Sequence, residues 1–184
     1  LASSAASDVY KRQEWFAGRP AYDLAVCAAG VTKDRPFLKQ TEDEWDAVMG
    51  VNARGAAWCA RCAAAGMLRE GREGQVVMIG SYAAYRPAPS QAAYAASKSA
   101  LEGLVKSLAR EWGKKGIRVN LVLPGFMLTD MTEGLRGSVK EAALSRHVLG
   151  RFNTPEQTAA FLLFLQEALT AASGQVFDLD SRIL

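Results

Sequence analysis

The stretch Ser81-Tyr-Ala-Ala-Tyr-Arg-Pro-Ala-Pro-Ser-Gln-Ala-Ala-Tyr-Ala-Ala-Ser-Lys98 decides how the chain is read. Its second half is Ala-rich and helix-favouring, so Tyr94 and Lys98, four apart, project from one face a turn apart. A phenol is a poor acid–base catalyst at neutral pH, and an ammonium beside it favours the phenolate and lowers its pKa. Ser81 follows the apolar run Val76-Val77-Met78-Ile79 and one glycine, which puts its hydroxyl at the carboxyl end of a strand. Open α/β sheets bind their ligands there. A Tyr and a Lys at this spacing are more often a solvated helix pair, so the rest of the chain has to decide.

Working outward, the elements alternate as an α/β fold requires. Upstream, Tyr22 to Gly30 carries a continuous apolar run, expected as a strand buried on both faces. Thr41-Glu-Asp-Glu44 is a capping box opening a helix expected to run to about Glu70, with Trp45, Met49, Asn52, Ala56 and Ala60 at helical spacing. Asn52 is polar on that apolar stripe, which reads as a satisfied buried amide, a local kink or a functional group. Downstream of the Gln91–Trp112 helix, Ile117 to Leu123 is a strand stopped by Pro124-Gly125. Residues 130–153 mix Gly, polar and short apolar groups, as a lid does. The lone His147 in it reads as surface or packing. Thr154-Pro155-Glu156-Gln157 opens a last helix, and Gly174 to Asp180 is a final strand.

Composition narrows the classes. The chain has 184 residues, 49% of them hydrophobic, enough for one domain with a sizeable core, and a net charge of +3 is too modest for a nucleic-acid binder. No apolar run reaches the roughly 18 residues of a membrane helix. Three cysteines, Cys27, Cys59 and Cys62, sit in apolar surroundings and argue for a reducing compartment, hence a cytoplasmic protein. Cys59-Ala-Arg-Cys62 has redox-motif spacing but falls within a helix, so packing is the reading. No residue set suggests a metal. Leu1 to Gln13 has neither periodicity nor a signal-peptide core. A back-translation of Asp8 to Gln13 resembles a transposon-end sequencing adapter, so residues 1–13 are expected to be a sequencing scar and the true protein to be cut at about Glu14, with residues 14–184 a partial domain.

The strand ending in Gly-Ser, Ser81 thirteen residues before Tyr94, then Arg118-Val119-Asn120 and Pro124-Gly125, resembles the short-chain dehydrogenase/reductase family from about Tyr22 to Asp180. The resemblance implies a Rossmann-like doubly wound parallel sheet in the order 3-2-1-4-5-6-7, of which four strands are visible and the first three are missing. No Gly-x-x-x-Gly-x-Gly occurs in the chain, so no cradle for a pyrophosphate is visible. The chain as written is therefore expected to be aggregation-prone and of little activity. By the same resemblance, Asn52, Ser81, Tyr94 and Lys98 form a catalytic tetrad in which Asn52 holds a water near Lys98. Cys27, Ala29 and Gly30, where the family has Asn-Asn-Ala-Gly, would lie beside the cofactor's adenosine half. Lys98 would bind the nicotinamide ribose beside Tyr94, while Pro124, Gly125, Met127 main chain and Thr129 would meet the nicotinamide. Family members continue with Gly-Gly after the aspartate at 180, whereas this chain has Ser181-Arg182.

Within the family, Ala29 to Asp34, Thr41 to Trp45 and Pro124 to Thr132 look most like 3-oxoacyl-acyl-carrier-protein reductases, implying NADP(H) rather than NAD(H) and a homodimer or homotetramer built on the Asn52 and Tyr94 helices. Arg72 and Lys115 fall where those reductases dock the acidic carrier, or are ordinary surface cations. Alternatives are an alcohol, steroid or sugar dehydrogenase of the family, a non-catalytic half-domain, and, last, a redox protein using Cys59 and Cys62.

Overall fold

Ile117–Leu123 alternates Val119, Leu121 and Leu123 toward one side of the sheet and Val122 toward the other, and every one of these is buried. A strand apolar on both faces needs a cover on each, and that requirement organises the molecule. The computed structural model describes residues 14, 16 and 18–183. Among them four strands, β1 (Leu24–Cys27), β2 (Gly74–Ile79), β3 (Ile117–Leu123) and β4 (Val176–Asp178), lie side by side in that order, all parallel. The register pairs Val26 with Val77 and Ile79 with Val122.

One face of the sheet is covered by two helices, α2 (Ala56–Arg69) and α3 (Ala92–Trp112). Ala60, Ala63 and Met67 of the first and Leu101 and Val105 of the second close over Val76, Met78, Val119 and Leu121. The other face carries α6 (Pro155–Glu167), with Leu165 packed among Val77 and Val122 and the Phe161 ring 5.4 Å from that of Phe177. Arg118 reaches from β3 to the Leu165, Gln166 and Leu169 carbonyls, and Asn120 bonds Ala172 O and Gln175 N. These two residues of the recognised motif are staples that dock α6 and β4 on β3.

Both capping boxes expected from sequence are formed. Thr41 Oγ accepts from Glu44 N and the Glu44 carboxylate accepts from Thr41 N, starting α1 (Glu42–Met49); Thr154 and Gln157 do the same at α6 behind Pro155. The helix opened by Thr41 is not continuous, however. A wide π turn, Gly50–Gly55, separates α1 from α2. β1 also departs from expectation: Val26 is 40% exposed and its strand neighbours are half-buried, because β2 is its only partner among the described strands. Residues 130–153 hold two short helices, α4 (Asp130–Glu133) and α5 (Gly137–Leu144), with Leu128, Met131, Leu135 and Val139 exposed around them. None of the three cysteines forms a disulfide, and Cys62 is buried in the core as packing predicts. No described helix is long and apolar enough to cross a membrane. The adapter reading of residues 1–13 lies outside the described residues; Gly18 N donates to Glu14 O.

Candidate active site

The site begins with a glycine that can be nothing larger. A Cβ on Gly80 would lie 2.5 Å from Leu123 Cδ2, so only glycine lets β2 run this close to β3 at its carboxyl end. The next residue, Ser81, is extended, and its Oγ accepts from Ala83 N at 3.1 Å, opening the tight turn Tyr82–Ala84. The chain then returns through Pro87 to Ser90, which adopts φ 74°, into α3. Tyr94 sits in the first turn of α3, close enough to Ser81 for that hydroxyl to act on the phenol. One turn on, Lys98 is 4% exposed; its Nζ donates to Ile79 O at 2.8 Å and stands 5.8 Å from the centre of the Tyr94 ring.

Asn52 occupies the π turn, the kind of local widening that places a side chain a regular helix would misdirect. It is 1% exposed with both polar atoms engaged: Oδ1 accepts from Val31 N (2.8 Å), and Nδ2 donates to Val31 O (2.9 Å) and to Ser97 Oγ (3.0 Å). Ser97 in turn donates to Tyr94 O at 2.7 Å. Asn52 thus joins the loop after β1 to α3. A Cβ on Gly30 would meet both Asn52 Oδ1 and Lys98 Nζ at 3.6 Å, so the three form one corner of the site. Sequence reasoning missed Ser97; its only signal is a small polar residue among alanines, one turn beyond Tyr94 on the face toward Asn52.

Electrostatics here departs from the sequence expectation. Burial pushes the Tyr94 phenol up, the Ser81 hydrogen bond pulls it back, and the Asp34 carboxylate adds to the rise. Lys98 is itself pushed down to about 8 by burial, which leaves it on the protonated side at neutral pH. Desolvation, and not the expected depression by Lys98, sets the direction of the Tyr94 shift. The resting phenol is a held proton, suited to giving it away.

The opposite wall follows β3. Pro124 O accepts from Asn153 Nδ2 at 2.8 Å, and Gly125 takes φ 83° with its α-carbon against Asp180. Met127 O accepts from Thr132 Oγ and Thr129 N donates to it, which folds this loop onto the start of α4. Gly30, the Lys98 cation and the bare backbone at Gly125 fit the nicotinamide half of a dinucleotide, which needs close approach and hydrogen bonding rather than bulk. Cys27 and Ala29 lie at the exit of β1, where the Cys27 thiol donates to Ala56 O and is pushed up to about 12, chiefly by burial. That thiol is inert. His147 is not at the surface: it is buried, with Nε2 2.8 Å from Asp180 Oδ1.

Arg72 and Lys115 are not brought to the site. They precede β2 and β3, at the amino ends of strands whose carboxyl ends carry Ser81 and Pro124, about 20 Å away at ~3.3 Å per residue. Arg72 is also engaged, bonding Ala21 O and Asp23.

A family model described as enoyl-(acyl carrier protein) reductase matches residues 12–181. The 3-oxoacyl-(acyl-carrier-protein) reductase FabG of Thermotoga maritima is 38% identical over 163 residues, which are 88% of this chain and 66% of that protein. Two solved structures share the fold. One, described as a 2-deoxy-D-gluconate 3-dehydrogenase of Agrobacterium tumefaciens with bound NADP, has a TM-score of 0.83 and 33% identity over 87% of this chain and 66% of its own. The other, described as an NAD(P)-dependent gluconate 5-dehydrogenase of Beutenbergia cavernae with NADP at low occupancy, has a TM-score of 0.86 and 33% identity over 94% of this chain and 70% of its own. The chain spans about two thirds of the length of these relatives.

Proposed function

The chain belongs to the short-chain dehydrogenase/reductase family, and from that premise we propose that it carries the catalytic half of an NADP(H)-dependent oxidoreductase that interconverts a carbonyl and an alcohol. The observation that carries this reading is the juxtaposition of the Ser81 and Tyr94 hydroxyls, backed by the buried Lys98. Tyr94, its proton held by burial, donates it to the substrate's carbonyl oxygen as charge develops there. Ser81 hydrogen-bonds the same oxygen and stabilises that charge. Lys98, protonated at neutral pH, offsets the phenolate left behind. Asn52 fixes the corner on which Lys98, Ser97 and Gly30 depend, and by family resemblance orients the water through which Tyr94 is reprotonated. A bound nicotinamide dinucleotide supplies the hydride. Gly30, Lys98, Pro124, Gly125, Met127 and Thr129 would hold its nicotinamide half, with Cys27 and Ala29 beside the adenosine. NADP(H) is preferred over NAD(H) because two structural relatives carry NADP.

As substrate we favour a 3-oxoacyl group on acyl-carrier protein, giving the 3-hydroxyacyl product of fatty-acid synthesis. The T. maritima relative bears that activity in its name, and Leu128, Met131, Leu135 and Val139 give the lid apolar surface for an acyl chain. Arg72 and Lys115 would be docking cations only if a second copy carries them toward the carrier. Sugar oxidation is the second reading, favoured by the gluconate dehydrogenases among the structural relatives. A cytoplasmic homodimer or homotetramer is the expected setting, with α3 presenting an open cleft around Gly103 and Ser107 for a second copy.

Tyr94→Phe in the complete reductase tests the assignment. Turnover should fall roughly 10²–10⁴-fold with cofactor still bound; retained turnover would eliminate Tyr94 as the proton donor. Comparing 3-oxoacyl thioesters with gluconates as substrates separates the two readings.

A further inference from the structure

Three segments around the Ser81 and Tyr94 hydroxyls meet at one buried carboxylate. Asp180, its side chain 1% exposed, lies 2.8 Å from His147 Nε2 through Oδ1 and accepts through Oδ2 from Arg182 Nε at 2.6 Å, with Arg182 Nη2 closer still. Gly125 backs onto the same carboxylate: a Cβ there would stand 3.0 Å from Asp180 Cγ. His147 belongs to the lid, its Nδ1 2.7 Å from Ala143 O just before the end of α5. Val148 N and Leu149 N also donate to Ser181, between the two charged residues of the tail. On the other side the central carbon of the Arg182 guanidinium lies over the Tyr82 ring, 3.9 Å from its centre.

Tyr82 is the residue after Ser81 and the first of the turn that Ser81 Oγ caps. Where Tyr82 sits therefore fixes where Ser81 points. A guanidinium is planar and delocalised, so it can ion-pair through its edge and stack through its face at once, which an ammonium cannot. Arg182 does both, with its side chain 11% exposed. It also stands where the family resemblance leads one to expect glycine, so the arrangement is a property of this chain.

We propose that Arg182 is a positioning residue for Ser81: gripped by Asp180 and stacked on Tyr82, it sets the turn that aims the Ser81 hydroxyl, and through Asp180 it couples that turn to the seating of the lid at residues 147–150. Only the catalytic consequence rests on the function proposed above; the coupling itself does not.

Amide hydrogen exchange on the 184-residue chain reads the coupling without any turnover. In Arg182→Met, exchange at Ala83, Ala84 and Tyr85 should quicken at least ten-fold, and at Val148 and Gly150 several-fold, with Val105 on α3 unchanged. Arg182→Lys keeps a cation for Asp180 but loses the flat face, so the lid should recover while the turn stays fast. Tyr82→Leu should loosen the turn and leave the lid alone. Unchanged exchange at Ala83 to Tyr85 in Arg182→Met overturns the proposal; should that variant fail to fold, Tyr82→Leu and Arg182→Lys decide it by the same amides. In the complete reductase Arg182→Met should lower kcat about ten-fold with substrate KM within two-fold, and Arg182→Lys should not restore it. An unchanged kcat over a loosened turn would overturn the link to Ser81. Turnover surviving Tyr94→Phe would instead overturn the assignment of the site, so the two failures are told apart.

Discussion

Tyr94 and Lys98 stand on a 21-residue helix whose inner face is closed by Leu101 and Val105, whereas the facing wall, from Gly125 to Asn153, rests on two short helices and a handful of polar ties. The helical wall is held by apolar area, distributed over α2, α3 and three strands. The lid wall is held by specific atoms: Asn153 on Pro124 O, Thr132 on Met127 O, and Asp180 on His147 and Arg182. The difference suits an enzyme whose chemistry must stay fixed while its substrate comes and goes. It also forecasts that damage to the first wall spreads through the fold, while damage to the second stays local.

Asn52→Ala should break this division most severely, because Asn52 ties the helical wall to the loop after β1 through three hydrogen bonds. Removing it leaves the Val31 amide and carbonyl and the buried Ser97 hydroxyl without that partner, a loss of roughly 3–4 kcal/mol at ~1–3 kcal/mol per unsatisfied buried group. Denaturant unfolding should report it, and Thr41-capped α1 and the start of α3 should lose exchange protection together. A loss confined to the Val31 loop would sink the idea that Asn52 joins the two elements.

Lys98→Met should sharpen the comparison by moving stability and function in opposite directions. Burial holds Lys98 near 8 against the 10.5 ordinary for a lysine, so the unfolded chain binds the extra proton more readily throughout that window. The fold therefore carries a penalty of about 3 kcal/mol below pH 8, at ~1.4 kcal/mol per pKa unit, and sheds it as pH rises from about 8 to 10.5. After allowing about 1 kcal/mol for the lost bond to Ile79 O, Lys98→Met should gain roughly 2 kcal/mol at pH 7 while losing activity. The gain should shrink above pH 8. Cys27, whose thiol is pushed up to about 12, makes the fold less stable above pH 9 in both proteins and cancels in the difference. A pH-independent difference would show that Lys98 is not the buried cation described.

The helical wall was also the legible one. Ile117–Leu123 was bounded residue for residue by its apolar run and the following Pro124, and the Thr41 and Thr154 caps announced their helices because capping is a contact between residues three apart. Ser81, Tyr94 and Lys98 were legible for the same reason, being set by a strand end and a helical repeat. At Asn52 a polar residue on an apolar stripe pointed to a buried amide or a local kink, and both are present, but not to its partner, since Val31 lies 21 residues away in a loop with no periodicity. His147 illustrates the limit further: a lone histidine among Gly and polar residues carries no sign that an aspartate 33 residues on will bury it. Nor could the sequence foresee that burial would raise Tyr94 rather than let Lys98 lower it, because desolvation depends on everything packed around the pair.

Gly125→Ala is the smallest of these perturbations and the best test that the lid wall fails locally. Gly125 adopts φ 83°, which costs an L-residue about 1–2 kcal/mol, and its new Cβ would press on Asp180 at 3.0–3.1 Å, closer than such atoms ordinarily come. Asp180 cannot retreat freely, being gripped by Arg182 on one side with the buried His147 ring 2.8 Å away on the other. Strain should therefore pass along the carboxylate to both partners, raising exchange at Val148 and Gly150 and at the Tyr82 turn, while β3 amides one strand-length away keep their protection. Global stability should drop by no more than about 2 kcal/mol. If Val119 and Leu121 lost protection along with the lid, the two walls would be one cooperative unit, and the contrast between a fixed side and a movable side would be wrong.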